Sequence, residues 1–242
     1  MEMTVEKTVG QLVAENPARA RVFEKHRIDF CCGGKMPLSE ACAKRGLSLD
    51  VVAADLAHCD TAGKPETRDW TTAPLSELAD HIVATHHAYL QSELPRLAAM
   101  ASRVAKVHGE HAPQTITLHA AFTDFREELE EHAQKEEQIL FPWIRGMESG
   151  SRSGVLPTSV ANPIRCMEQE HDNAGKALEL FRNLTNNYTP PMDACNTWRV
   201  LYASLEALEE DMHVHVHKEN SILFPRAVEL EQSLADGTGG RV

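Results

Sequence analysis

Thirteen histidines stand out in a chain of 242 residues of which only 5% are aromatic. Imidazole is the commonest metal ligand in proteins, so the spacing of histidines from carboxylates indicates candidate metal sites. One pattern occurs twice at an offset of 83 residues, as HAQKEEQILFP from His132 and as HVHKENSILFP from His215. In each copy a glutamate, Glu136 or Glu219, follows the histidine by four residues, which places both side chains on one face of a helix. The repeat predicts a metal site built on paired helices.

Four long segments with helical periodicity must position these side chains. They span residues 75–107, 115–141, 162–185 and 195–224, and strand-type alternation is absent between and within them. Long helices joined by loops containing glycine and proline predict an antiparallel four-helix bundle. Each helix has one apolar seam of residues three and four apart. The seams are interrupted by polar side chains at one level only, namely His87, His132, Glu136, His171, His215 and Glu219.

The burial of two glutamates among four imidazoles favours bound cations at this level. An ionised carboxylate buried without a partner costs several kcal/mol. A single histidine on an apolar seam is usually a hydrogen-bonded core residue, and a single HxxxE pair is usually a surface contact. Four helices that place such residues in register favour the metal site instead. Six ligands are too many for one tetrahedral zinc and suit two metal ions. Imidazole and carboxylate suit iron, while manganese and zinc also fit by ligand type.

The remaining histidines are predicted to lie off the seams. His86 is next to His87, but only His87 continues the apolar spacing of its helix. His213 and His217 flank His215 at two-residue steps, which turns them about 200° round the helix, so we expect them to face elsewhere. We predict surface positions for four others: His81, His108, His111 and His119.

The first part of the chain predicts short helices. Thr8 begins a capping box, Asn16-Pro17 starts a second helix, and Gly46 can end a third. Between the second and third helices the turn Asp29–Lys35 reads DFCCGGK. Breaks at residues 60–73 separate this part from the bundle. The predicted organisation is all-α: a small helical domain over 1–65, the bundle over 74–228 and a disordered tail over 229–242.

Composition and charge exclude several classes of function. The net charge is −12, with 24 basic and 36 acidic residues, so we expect no nucleic-acid partner. The chain has no run of 18 apolar residues, and its N-terminal MEMTVEKTVG does not resemble a signal peptide, so we expect no membrane association. The six cysteines are too sparse for a disulfide scaffold and show no CxxC spacing. These features predict a cytoplasmic protein with reduced thiols, in which the adjacent pair Cys31-Cys32 is the unusual element.

The DFCCGGK turn followed by two HxxxE–ILFP motifs resembles the iron-sulfur cluster repair di-iron proteins (the repair-of-iron-centres family). The resemblance extends from about Gly10 to Arg226, and the C-terminal domain is similar to hemerythrins. It implies that two non-haem iron ions, bridged by oxo and carboxylate groups, bind to the six seam residues. It also implies acidic residues near the site at Glu128 and Glu170. Cys31 and Cys32 lie on a Gly-Gly turn that can approach a partner closely, so we expect this pair to relay iron or to form a mixed disulfide.

The resemblance implies that the protein restores iron-sulfur clusters damaged by nitric oxide or peroxide, by supplying iron. Its partners would be damaged or apo iron-sulfur proteins, and it would form a homodimer in the cytoplasm. Two alternatives remain: an enzyme that reduces nitric oxide at the di-iron centre, and a hemerythrin-like module that binds or senses oxygen or nitric oxide. The Cys-Cys domain argues against gas carriage alone, because a carrier needs no thiol relay. The sequence does not separate iron donation from nitric oxide reduction, since both need an open iron site.

Overall fold

The fold is seen in a computed structural model that describes residues 6–62, 68–150 and 159–238. These residues form helices and turns, with no β-strand among them, which confirms the predicted all-α class. Within the same ranges no helix is both long and apolar enough to cross a bilayer. The predicted domain boundary at residue 65 and the end of the predicted tail, residues 239–242, lie outside the described residues.

The described residues of the N-terminal part include these short helical elements: α1 (Val9–Glu15), a 3-10 turn (Pro17–Arg19), α2 (Ala20–Lys25), α3 (Leu38–Arg45) and α4 (Leu49–Ala62). The predicted capping box is confirmed, since the Gln11 N–H donates to Thr8 Oγ1 and the Thr8 N–H donates to Gln11 Oε1. Gly46 ends α3 with φ of 66°, a left-handed conformation that glycine adopts without steric cost.

Longer helices follow, and π-helical turns interrupt three of them. In chain order they are α5 (Leu75–Ile82), π1 (Val83–His87), α6 (Ala88–His108), α7 (Gln114–Lys135), π2 (Glu136–Leu140), α8 (Phe141–Glu148), α9 (Ala161–Leu184), α10 (Asn196–His217), π3 (Lys218–Leu223) and α11 (Phe224–Thr238). Contacts divide the chain into two compact units. The first unit comprises Met1–Ala79, Ile144–Ala161 and His213–Val242, and the second comprises Asp80–Trp143 and Asn162–Met212.

The second unit is the helical bundle, formed by α6, α7, α9 and most of α10. Its apolar seams are buried as the sequence predicted; α7 contributes Leu118, Phe122, Phe125 and Leu129, and α9 contributes Ile164, Met167, Ala174, Leu178 and Phe181. The rings of Phe122, Phe125 and Phe181 pack together with centroids 5.2–6.0 Å apart. Burying each such side chain stabilises the fold by about 1.5–3 kcal/mol.

The first unit combines the N-terminal helices with α8, π3 and α11. The Arg226 guanidinium of α11 donates to the carbonyl oxygens of Trp70 (2.8 Å) and Ala73 (2.7 Å). The Glu148 carboxylate at the end of α8 accepts the N–H of Leu75 at 2.6 Å and that of Ser76 at 2.9 Å. These bonds satisfy carbonyl and amide groups where α5 begins, because a helix leaves its first N–H groups without partners.

The π turns change where the helices end and which residues are buried. Proline usually ends a helix, so the sequence predicts that Pro142 and Pro225 stop the second and fourth long helices; in the structure α8 and α11 continue through them. Each proline falls in the first turn of a helix that restarts after a π turn, where no N–H is required. The three- and four-residue spacing that runs through His132 and Glu136 predicts Ile139 on the seam, but Ile139 is 49% exposed and Leu140 is buried instead. The extra residue of the π turn shifts the register by one.

Helix α11 extends into the segment for which the sequence predicted a disordered tail. The helix runs to Thr238, so residues 229–238 are helical in the structure. One reason is Glu231, whose carboxylate accepts the Val160 N–H at 2.7 Å just before α9 begins. The sequence pattern could not predict this hydrogen bond, because Glu231 and Val160 are 71 positions apart in the chain.

Candidate metal centre

Four of the predicted ligands lie together in the second unit, each on a different element. His87 belongs to π1, His132 to the last turn of α7, Glu136 to the start of π2 and His171 to α9, and all four are at most 3% exposed. The Glu136 carboxylate lies 3.3 Å from His87 Nε2 and 3.4 Å from His132 Nε2. The Nε2 atoms of His132 and His171 are 3.1 Å apart. Three imidazole nitrogens and one carboxylate therefore converge.

Carboxylates on the outer side hold two of these imidazoles in place. His87 Nδ1 is 2.8 Å from Glu137, and His132 Nδ1 is 2.8 Å from Glu170. A carboxylate only accepts hydrogen bonds, so the proton of each neutral imidazole resides on Nδ1 and Nε2 presents its lone pair inward. Carboxylates that bind metal-ligating histidines in this way orient the ring and raise its basicity as a ligand. The same carboxylate–histidine arrangement occurs in known metal sites.

Glu170 is itself held in the ionised form. Its carboxylate bonds to His132 and, through its other oxygen, to Lys135 Nζ at 2.7 Å. The hydrogen bond from His132 is the main reason that the pKa of Glu170 is lowered to about 2, and Lys135 contributes further. The family resemblance pointed to Glu170 as an acidic residue near the site, and in the structure its carboxylate contacts the predicted ligand His132.

The other two predicted ligands lie in the first unit. His215 is on α10 and Glu219 is on π3; both are buried, with the carboxylate fully excluded from solvent. His215 Nε2 is 3.1 Å from Glu219 Oε1. The four-residue spacing thus brings the imidazole and carboxylate of the second repeat together, as it does for His132 and Glu136 in the first.

The three π turns of the described chain coincide with predicted ligands. His87 is the last residue of π1, Glu136 is the first of π2 and Glu219 is the second of π3. Such turns are rare in helices and occur frequently at functional sites, because the inserted residue changes the direction in which side chains point. The insertion has no signature in the apolar spacing, so the sequence could not predict it.

The donor set fits a metal ion such as iron. The ligand atoms of His132, Glu136 and His171 lie within 4.8 Å of one another, and all three residues are buried. An ionised carboxylate in a buried position is stabilised by a positive charge nearby, and a bound cation would supply that charge. Imidazole nitrogen and carboxylate oxygen suit iron, and the absence of thiolates from this donor set disfavours a soft copper site.

Several sequence predictions about the surroundings need correction. Glu128 is exposed on α7, whereas Glu137, which the sequence analysis did not single out, contacts His87. The position of Glu137 directly after the predicted ligand Glu136 was the signal in the sequence that could have identified it. His86, predicted to lie off the seam, is buried, with Nδ1 2.9 Å from Asp211 Oδ1.

The histidines that flank His215 do face away from it, but His217 is not a surface residue. His217 is only 4% exposed, and His213 is half-buried. Their rings contact Phe30 edge-on, with centroids 5.7 Å and 5.9 Å from that of Phe30. The prediction assumed that the face opposite the bundle seam meets solvent, whereas in the first unit it meets the segment that carries the cysteines.

The Cys31-Cys32 turn of the first unit is tightly ordered. The Asp29 carboxylate accepts the N–H groups of Cys31, Cys32 and Gly33 at 2.9–3.0 Å. Cys31 is buried and Cys32 is half-buried, and their sulfur atoms are 3.8 Å apart as free thiols. The hydrogen bond with Cys32, together with burial, raises the pKa of the Cys31 thiol well above its ordinary value. Because Cys31 is buried and Cys32 is only half-buried, Cys32 is the more accessible thiol of the pair.

Comparison with known proteins gives two matches to family models. Residues 78–227 match the model described as hemerythrin HHE cation binding domain, and residues 5–60 match a domain of unknown function (DUF542). Proteins named iron-sulfur cluster repair protein YtfE, from Escherichia coli O81 (strain ED1a) and from Escherichia fergusonii, are similar over nearly the whole chain. Each is 40% identical over 223 residues, which cover 92% of this chain and 97% of the relative.

Proposed function

Because the chain belongs to the family of iron-sulfur cluster repair proteins that carry a hemerythrin domain, we propose that it repairs damaged iron-sulfur clusters by supplying iron. The observation that carries this proposal is the convergence of His87, His132 and His171 on the buried Glu136. A site with these donors holds iron without the thiolates that make iron-sulfur cages tight, so it is suited to releasing iron as well as binding it.

We propose further that all six seam residues bind two iron ions. His215 and Glu219 supply the same pair of donors as His132 and Glu136, at the same spacing and equally buried. They follow Met212, which is buried on the seam of α10. Two carboxylates and four imidazoles supply enough ligands for two ions and leave positions open. Bound iron would supply redox cycling between the ferrous and ferric states.

The residues of this chain would have distinct roles in such a cycle. Glu136 and Glu219 supply negative charge that balances the ions, and the imidazoles supply neutral nitrogen donors. Glu137 and Glu170 keep the Nε2 atoms of His87 and His132 directed inward. Cys31 and Cys32 would accept outgoing iron; their sulfur atoms and the Asp29 carboxylate lie within 4.8 Å of one another, close enough to hold an ion in transit.

The partners we propose follow from this role. The clients are iron-sulfur proteins whose clusters have lost iron, and nitric oxide or oxygen would be small ligands of the iron. We also propose that the protein acts as a homodimer in the cytoplasm. The free thiols are in keeping with a reducing compartment.

Cluster repair can be tested directly. Iron-loaded protein is mixed anaerobically with an apo-[4Fe–4S] protein, sulfide and a reductant, and cluster absorption is followed with time. We expect faster and more complete cluster recovery than with an equal amount of free ferrous iron. The control is His132→Ala, which lacks one ligand and should give no advantage over free iron. In parallel, nitric oxide is added to the iron-loaded protein and nitrous oxide is measured, which tests the alternative of nitric oxide reduction. Equal recovery with and without the protein would contradict the proposal.

A further inference from the structure

Three backbone segments of the first unit meet at unusually short range. They are α1 at Gly10, the thiol turn at Gly34 and π3 at Ser221. The Gly10 N–H donates to the Gly34 carbonyl oxygen at 2.9 Å. A Cβ at Gly10 would lie 2.5 Å from Ser221 Oγ and 2.9 Å from the Gly34 carbonyl oxygen, and one at Gly34 would lie 3.1 Å from Ser221 Oγ. Only glycine permits this approach, so the thiol turn is packed directly against the segment that carries Glu219.

Side chains next to Glu219 reinforce the contact on both sides of the cysteines. Asn220 is largely buried, and its Nδ2 donates to the Cys31 carbonyl oxygen at 3.4 Å. Phe30, which precedes Cys31, contacts the rings of His213 and His217 on the last turn of α10. Within the turn, the three N–H bonds to Asp29 fix the backbone. A displacement of π3 is therefore passed to the turn as a whole.

The internal repeat shows that these contacts are a distinct feature of the second copy. With the offset of 83 residues, Asn220 corresponds to Glu137 and Ser221 corresponds to Gln138. In the first copy, Glu137 orients the ligand His87, and Gln138 is exposed. In the second copy, the same two positions contact the thiol turn. The residues that follow the glutamate thus serve the metal cluster in one copy and the cysteines in the other.

We infer that Asn220 and Ser221 are positioning residues that couple iron at Glu219 to the accessibility of Cys31-Cys32. The inference rests on the proposed function, in which Glu219 binds iron. When Glu219 binds or loses iron, π3 adjusts and the attached turn changes the exposure of the Cys32 thiol. Coupling of this kind is reciprocal, so a change at the thiols also alters iron affinity. The exposure of the Cys32 thiol would then depend on whether the protein holds iron that it can deliver.

Peptide-resolved alkylation tests the coupling. The full chain, iron-free or loaded with ferrous iron, is treated anaerobically with iodoacetamide, and mass spectrometry follows the peptide containing Cys31 and Cys32. We expect the alkylation rate of this peptide to differ by about fivefold or more between the iron-free and the iron-loaded protein. Asn220→Ala and Ser221→Ala should reduce the difference toward none. The matched controls Asn183→Ala and Ser233→Ala, at exposed helical positions, should retain it. The Cys195 peptide serves as an internal reference.

The outcomes separate this inference from the function on which it rests. Iron uptake with equal alkylation rates in the two forms overturns the inference alone. A difference that survives in both positioning variants also overturns it, because the thiols would then sense iron by binding it themselves. A chain that takes up no iron overturns the proposed function and the inference together. If the variants fold poorly, the wild-type protein suffices: blocking the thiols with a methanethiosulfonate should speed iron release to a chelator, and an unchanged rate would contradict the coupling.

Discussion

At the scale of single residues, the orientation of the imidazoles distinguishes this cluster from an ordinary set of buried histidines. His87 and His132 each bond outward to a carboxylate through Nδ1 and direct Nε2 toward Glu136. Spacing alone predicted the six candidate ligands. The family resemblance added one outer carboxylate, Glu170, whereas Glu137 was found only from the structure. Spacing reports which face a residue occupies and does not report which neighbour it meets.

Removing the charge of an outer carboxylate should weaken iron binding without unfolding the bundle. We predict that Glu170→Gln and Glu137→Gln each lower iron affinity by about 10- to 100-fold, because their histidines lose the acceptor that orients them. Competition with a chelator of known affinity measures the effect. Glu128→Gln is the matched control on an exposed position of α7 and should bind iron normally. Equal affinities for Glu170→Gln and Glu128→Gln would show that orientation of His132 is unimportant.

The run of alternating histidines at the end of α10 provides a second test. His215→Ala should lower iron content, since a ligand is lost while Glu219 stays buried. His217→Ala should retain iron but lower the free energy of unfolding by about 1–2 kcal/mol, because a buried ring in contact with Phe30 is removed. His213→Ala, at the half-buried position, should retain iron and lower the free energy of unfolding by less than His217→Ala does. Iron analysis and urea unfolding distinguish the three. Loss of iron only from the His217 variant would mean that our register for α10 is wrong.

At the scale of helices, the apolar seams could be predicted and the π turns could not. Periodicity placed Leu118, Phe122 and the rest of the α7 seam correctly because packing requires that pattern. A π turn adds one residue to a continuous helix, so the pattern shifts at Glu136 without any break in the sequence. This is why Ile139 was placed on the seam although Leu140 occupies it.

Deleting the inserted residue should therefore convert a π turn to α-helix. We predict that deletion of the exposed Ile139 preserves helical content, since π2 becomes regular α-helix and the residues of α8 keep the faces they occupy now. Iron affinity should fall at least about tenfold, because the Glu136 side chain is redirected. Circular dichroism and iron titration measure the two effects. As a control, deletion of Gly150, which lies beyond α8, should leave iron binding unchanged. Intact affinity after the Ile139 deletion would show that π2 is not needed for the site.

The N-terminal helices carry a pH-dependent link that is separate from the iron site. The Arg19 guanidinium bonds to the Asp60 carboxylate of α4 through two nitrogens, each at 2.8 Å, and this lowers the pKa of Asp60 below its ordinary value of 3.8. Because the folded pKa is lowered, the stabilisation is present above pH 3.8 and is lost as the pH falls through the folded pKa.

Asp60→Asn should remove this contribution. The pair is partly exposed, so we expect the variant to lose only about 0.5–1 kcal/mol at pH 7. Below pH 3.8, as the pH falls through the folded pKa of Asp60, the variant should approach the stability of the wild type. Urea unfolding at pH 7 and at a pH below 3.8 measures the difference. An equal difference at both values would show that the charge of Asp60 does not account for its effect.

At the scale of the whole molecule, the chain joins two kinds of chemistry: a thiol turn in the first unit and a histidine-carboxylate cluster in the second. The sequence predicted both from their motifs and separated them into two domains, over 1–65 and 74–228. The compact units follow a different division, since residues 213–238 group with the N-terminal helices. Contacts between distant parts of a chain, such as that of Asn220 with Cys31, leave no periodic signal.

The separation of the two chemistries predicts the behaviour of a thiol-free variant. Cys31→Ala combined with Cys32→Ala should fold and keep its iron, because neither sulfur belongs to the buried histidine cluster. Cluster repair should fall, since the relay is lost. Iron analysis and the repair assay measure the two properties, and Cys195→Ala is a control at an exposed cysteine. Loss of iron from the double variant would mean that the cysteines belong to the iron site.

The most direct test of the central claim is the stoichiometry and state of bound iron in the wild-type chain. The purified protein is reconstituted anaerobically with ferrous iron, desalted and analysed for metal per chain, then oxidised and examined by Mössbauer spectroscopy at low temperature. Six buried ligands predict about two irons per chain, with the oxidised pair coupled to a diamagnetic ground state. One zinc or one iron per chain, without a coupled ferric pair, would contradict the di-iron centre and the repair function proposed from it.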